Sequence, residues 1–194
     1  MRRSKTQRNN MQIKVFIASS EELKEERICL GALLNKLCPL YEAEGHSLKL
    51  LVWEDFDSAY NGMRKQDEYN EWIRESDLFF GVFWNRTGNF TLEEVDVAEQ
   101  SHLQHGHPDI CILFKDDVKD QETVSRINQF INQKVRPGGF DNGKFRTDDD
   151  IKYIFTRKLL ERFPLEQVSF RQEGDEIRLG RFKIARVSRL TCEQ

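Results

Sequence analysis

The run LFFGVFW, residues 78–84, contains no polar residue; Asp77 stands before it and the turn-forming Asn85-Arg86-Thr87-Gly88-Asn89 after it. A short, continuous, aromatic run closed by turn residues reads as a strand buried on both faces, because a strand with one wet face would alternate. Three further runs have the same character: QIKVFIA at 12–18, LKLLVW at 48–53 and, behind Pro108, DICILF at 109–114. The stretches between them carry helical spacing instead. Ser19-Ser20-Glu21-Glu22 supplies a capping-box opening for a helix in which Leu23, Leu30, Leu33, Leu34 and Leu37 recur until Pro39 and Gly45. A polar, aromatic loop at 54–64 leads to a helix with Tyr69, Trp72 and Ile73 on one face, and another helix opens at Thr91.

Strands alternating with helices at this spacing form βαβ units, and continuous apolar strands belong to a parallel sheet covered on both sides. The expected fold is therefore α/β: a flavodoxin-like, doubly wound parallel sheet of order 2-1-3-4. Helices are expected at 122–133 and at 147–163, the second capped by Thr147, with a loop at Gly138-Gly139 between them. The alternating VSFRQEGDEIRLGRFKI at 168–184 suits a hairpin or a linker. The expected organisation is a disordered basic arm at 1–11, one domain at 12–163 and the hairpin or linker at 164–194.

Composition narrows the function. The 194 residues are 38% hydrophobic and 32% charged, and 30 basic against 33 acidic side chains leave a net charge of −3. Fourteen Phe and three Trp bury enough surface to exclude disorder along the whole chain. The balanced charge lacks the basic field of a nucleic-acid binder, and no apolar run reaches the length that spans a bilayer. The opening MRRSKTQRNN has no apolar stretch of the secretory kind, so a cytoplasmic location is expected. Cys29, Cys38, Cys111 and Cys192 form no C-x-x-C and read as reduced thiols; His102, His105 and His107 lack a completing ligand at a recognisable spacing. Neither metal nor cofactor is expected.

In an open α/β sheet, ligands bind beyond the carboxyl ends of the strands, where strand order reverses. For order 2-1-3-4 that point lies between strands one and three. It collects Ser19, Ser20, Trp84, Asn85 and the start of the Thr91 helix, with Trp53, Phe56 and Tyr60 in the loop after strand two. Hydroxyls and helix starts suit phosphate or ribose, and aromatic faces suit a base. The same residues also serve as caps and loop packing, and both readings stand at this point. In the helix TLEEVDVA, 91–98, a turn of about 100° per residue puts Leu92, Val95, Ala98 and Leu103 on the buried face. Glu94 lies near that face and Glu93 is turned away. Glu94 is thus the candidate carboxylate, although Thr91-x-x-Glu94 is equally the pattern of a capping box.

At these residues the chain resembles a family. KVFIASSEELKEER at 14–27, WEDFDSAY at 53–60 and SDLFFGVFWNRTGNFTLEEVDVA at 76–98 are similar to the TIR-like domains of bacterial proteins that open with an F-I-S-S type strand and an E-E-R helix. A more distant similarity runs to nucleoside 2-deoxyribosyltransferases, whose glutamate sits in a G-T-x-x-E-x-G-x-A segment. This chain has Phe90 and Asp96 where that pattern has glycines. The resemblance implies that Glu94 acts on the N-glycosidic bond of NAD or a related nucleotide, with NAD as substrate rather than cofactor. It also implies self-association, or a larger signalling or antiviral defence protein, as partner. Two alternatives accompany it: a non-catalytic interaction module in which Glu94 is a helix cap, and base exchange on nucleosides.

Overall fold

The structure is a computed structural model and describes residues 10–51, 65–85, 89–118 and 120–186; the side chains of 65, 66 and 89–91 fall outside it. Strand β1 (Gln12–Ser19) alternates the faces that it buries, with Ile13, Val15 and Ile17 on one side and Phe16 and Ala18 on the other. This is the pattern of a central strand, and β1 pairs in parallel with β2 (Ser47–Leu51) on one flank and β3 (Leu78–Phe83) on the other. Strand β4 (Asp109–Lys115) follows β3, and β5 (Asp141–Phe145) follows β4, giving the parallel order β2-β1-β3-β4-β5. The expected doubly wound sheet is present, extended by one edge strand.

Helices cover both faces. Helix α1 (Lys24–Ala43) and helix α5 (Asp148–Arg162) share a core with Val15, Ile17, Phe80 and Leu113. Helices α2 (Lys65–Glu75), α3 (Asn89–His105) and α4 (Gln121–Phe130) lie against Phe16, Phe79, Phe83 and Ile112 on the other side. Each of these fully buried aromatic or aliphatic side chains contributes about 1.5–3 kcal/mol relative to exposure. Asp77, prominent in the sequence, joins the strands at the end away from the crevice. Its Oδ2 accepts the Lys14 amide at 2.8 Å, its own amide donates to the Lys14 carbonyl, and its carbonyl accepts the Asp109 amide.

Several local expectations need correction. Ser20 makes no side-chain cap; its Oγ donates to Glu22 Oε1 at 3.2 Å, and a 3-10 turn, Glu21–Leu23, precedes α1. Helix α1 continues through Pro39, whose missing donor removes one ladder bond, and ends where Gly45 takes φ 87°. There His46 N donates to Tyr41 O and Gly45 N to Glu42 O, a Schellman termination that requires the left-handed residue. Helix α3 starts at Asn89, two residues before Thr91, so Thr91 is not its cap. Leu103 is 78% exposed because five residues past Ala98 carry it about 140° off the buried face, where Ser101 is buried instead. A π turn, Ile131–Val135, extends α4. Thr147 caps α5 in a reciprocal capping box with Asp150, as its sequence indicates.

The tail forms a three-stranded antiparallel sheet, β6 (Phe170–Glu173), β7 (Glu176–Leu179) and β8 (Phe182–Arg186). Two-residue loops led by Gly174 (φ 63°) and Gly180 (φ 56°) connect it. Its apolar face, Ile177, Leu179, Ile184 and Ala185, belongs to the α1–α5 core. The segment leading to it is pinned: Tyr41 Oη donates to the Phe163 carbonyl at 2.7 Å, and the buried Glu44 carboxylate accepts the amides of Glu166 and Gln167 at 3.0 and 2.8 Å. The Arg186 amide donates to Asp149 Oδ2 at 2.8 Å.

Candidate functional site

The order β2-β1-β3-β4-β5 puts the switch point between β1 and β3, since α1 leads away on one face and α2 returns on the other. Ser19 ends β1 beside Val82 of β3. Its Oγ accepts from Arg27 Nη1 at 2.7 Å, and the same nitrogen donates to the Ser20 carbonyl at 2.8 Å. Arg27 sits in the first turn of α1 and is 3% exposed. Its neighbour Glu26 is also buried and accepts from Lys115 Nζ at 2.6 Å. Lys115 ends β4, and its ammonium lies 4.1 Å from the centre of the Trp84 ring.

Glu94 stands on the second turn of α3, which packs on the opposite face of the sheet from α1, and is 9% exposed. Burial, the first cause, and the negative charge of Glu93 push its carboxyl up to about 8, against the opposing pull of the Arg27 guanidinium. At pH 7 roughly a tenth of such a group is ionised. Glu93 is half-buried and turns toward α2, where its Oε1 accepts from Asn70 Nδ2 at 3.3 Å.

Arg27 binds Ser19 and Ser20 directly, and its charge acts on the Glu94 carboxyl. Trp84 stands at the neighbouring strand end, half-buried against the α1–α5 core. One of its faces is taken by Lys115, and among the described residues its buried Nε1 has no hydrogen-bond partner. Asn85 follows it, half-buried. Thr91 lies inside α3, with its side chain outside the described atoms. Trp53, Phe56 and Tyr60 lie outside the described residues. Among the described residues, no group of three or more His, Cys, Asp or Glu side chains converges as a metal site. His102 and His107 are engaged at the far end of the sheet with the carbonyls of Pro108 and Ser76.

Sequence reasoning did not assign Glu26, Arg27, Lys115 or Asn70 to the site. A signal for Arg27 was available. It falls in phase with Leu23, Leu30 and Leu34, so a cation occupies the apolar stripe of α1. A charge in such a stripe is buried and needs partners. Chemically, the cluster offers a carboxyl that exchanges its proton near neutral pH and a fixed guanidinium acting on it. Such a carboxylate can oppose positive charge developing on a sugar carbon.

No protein-family model matches the chain, and no curated protein matches it in sequence. Among solved structures, it is similar to a CMP N-glycosidase from Clostridium botulinum at 14% identity and a TM-score of 0.42, over 75% of this chain and 98% of that one. No helix among the described residues is long and apolar enough to cross a membrane.

Proposed function

We propose that this chain cleaves the N-glycosidic bond of NAD or a related nucleotide, with Glu94 as the carboxylate that faces the sugar. The observation that carries this reading is a buried glutamate at the switch point of a doubly wound sheet, its carboxyl raised to about 8 yet acted on by a buried arginine. The resemblance to TIR-like domains agrees with it and supplies the substrate class.

The bond between C1′ and the nicotinamide nitrogen breaks, and its electron pair leaves with the base. Nicotinamide departs neutral and needs no proton, while C1′ becomes oxocarbenium-like. Ionised Glu94 opposes that charge. Water then adds to C1′ and gives up a proton. The working form is the ionised one, so turnover rises as pH climbs toward 8. With a nucleoside whose base leaves as an anion, the protonated form would serve instead, as donor to the leaving nitrogen. An acceptor base in place of water turns the same chemistry into exchange.

The start of α3 at Asn89 bears on the interaction-module alternative. A residue six positions into a helix is not the third-position partner of a capping box, which supports the catalytic reading over the cap. The test is release of nicotinamide from NAD by purified protein, compared with Glu94→Gln. Release that falls at least a hundredfold in the variant is the expected result; release unchanged by the substitution refutes the role of Glu94. No release at any protein concentration refutes the hydrolase.

A further inference from the structure

Trp84 has a paired strand on one flank only. It follows Phe83, the last residue of β3, and the pairing of Phe83 with Phe114 makes Lys115 its neighbour on the β4 side. On the β1 side the pairing stops two rows earlier, where Ser19 lies opposite Val82. Alternation turns Trp84 to the same side of the sheet as Phe80 and Val82, and turns Lys115 there with Cys111 and Leu113. The Lys115 ammonium is 4.1 Å from the centre of the Trp84 ring, which puts it over a face. It is held there, because Glu26 Oε1 of α1 accepts from it at 2.6 Å. Glu26 is 6% exposed and the Lys115 side chain 18%, so the ion pair is shielded from water and costly to part. The half-buried ring has its Nε1 enclosed, with no hydrogen-bond partner among the described residues. What the ring offers an incoming molecule is carbon and π density rather than a donor.

We propose that Trp84 is a stacking platform for a ring of the substrate, on the crevice side of β3, and that Lys115, fixed on it by Glu26, restricts the platform to an uncharged ring. This rests on the reading that the crevice takes a nucleotide, and says which of its rings is recognised here. An aromatic face attracts a cation through the ring quadrupole. With an ammonium already over one face, a second positive charge on the other meets π density drawn away from it and the repulsion of the first charge. A neutral base stacks without that cost. Because Nε1 is enclosed, the platform discriminates by charge and not by a pattern of donors and acceptors. Glu26 keeps the ammonium on the ring instead of letting it turn to a phosphate. On NAD, which carries one cationic and one neutral ring, the platform takes the adenine and refuses the nicotinamide. The nicotinamide end is then left to the side of the sheet where α3 carries Glu94.

The experiment follows the Trp84 indole N–H in the 15N-labelled full chain, assigned as the resonance missing from Trp84→Phe, during titration with three probes. These are AMP, nicotinamide mononucleotide and its dihydro form; the last two carry the same substituents and differ in ring charge. AMP and the dihydro form are expected to shift the indole resonance and to bind about fivefold or more tightly than the cationic form. Lys115→Met is expected to bring the ratio between the two nicotinamide forms to within about twofold. A merely structural role for Lys115 would weaken all three probes alike and leave the ratio in place. A ratio unchanged in folded Lys115→Met overturns the proposal, as does an indole resonance that none of the probes moves. If that variant does not fold, because Glu26 is left buried and unpaired, the double variant Glu26→Gln/Lys115→Met takes its place and is read in the same way. Binding is read without turnover, so the two readings fail separately. A chain that shows the charge preference but releases no nicotinamide from NAD loses the hydrolase and keeps the platform; release of nicotinamide with a ratio untouched by the substitution does the reverse.

Discussion

Replacing Glu94 by glutamine is expected to change how stability depends on pH, whatever it does to turnover. In the unfolded chain this carboxyl titrates near its ordinary 4.5, and in the fold near 8. The folded state therefore holds a proton that the unfolded state releases, and stability falls with rising pH across that window. The contribution is complete below about 4.5 and lost once pH passes about 8. At 1.36 kcal/mol per pH unit, the loss between pH 5 and pH 9 is about 4 kcal/mol, a ceiling because water drawn in by the ionised group repays part of it. Glutamine has no such proton. Urea denaturation of wild type and Glu94→Gln at several pH values, at constant ionic strength, measures the difference. The variant should gain about 2–4 kcal/mol on the wild type between pH 5 and pH 9, or roughly 1–2 M urea in midpoint for an m-value near 2 kcal/mol/M. Its buried amide costs about 1–3 kcal/mol at every pH and cancels from the comparison. A stability difference constant to within about 0.5 kcal/mol across the range would refute the reasoning, because it would mean that the fold does not hold that proton.

Glu93→Gln removes the neighbouring negative charge and should lower the Glu94 midpoint, moving the acid limb of nicotinamide release to lower pH; a limb that stays in place separates the two glutamates. Gly81→Ala would set a Cβ 2.9 Å from Ile112 Cδ1 in the middle of β3, and denaturation should show a loss of about 1–3 kcal/mol. Glu44→Ala strips the acceptor from two backbone amides and should cost about 2–4 kcal/mol, read in the same way. If the chain works by self-association, as TIR-like domains do, release per molecule should rise steeply with protein concentration; strictly proportional activity from a monomer would exclude that.

Among the described residues, four of the five parallel strands were legible because central strands advertise themselves as unbroken apolar runs. β5 was not, for the same physical reason. It is an edge strand reading Asp-Asn-Gly-Lys-Phe, and only Phe145 is buried, so it has no run to show. The tail could be read as alternating but not as sheet or linker, since that depends on whether Ile177, Leu179 and Ile184 find a surface to cover. At the site, the switch-point rule and the register of TLEEVDVA select Glu94. Its proton affinity could not be read, because it is set jointly by burial, by Glu93 and by an arginine from the other side of the sheet. The location of Arg27 was readable in principle from the leucine stripe of α1. Its bond to Ser19 was not, because that depends on where α1 docks.

The antiparallel sheet at the carboxyl side has a further meaning for α5. Ile151, Phe155 and Leu159 face the parallel sheet, while Tyr153, Ile154 and Leu160 are also drawn into the same core, and the Tyr153 ring stacks on Phe170 at 6.1 Å. A helix apolar on more than one side needs cover on more than one side. β6, β7 and β8 act as a lagging jacket around α5, doing for it what a row of lysines and glutamates does for a helix that meets water. An expression boundary drawn at residue 163 would strip that jacket and leave a greasy flank, and such a fragment would be expected to clump rather than to behave as a smaller version of the protein.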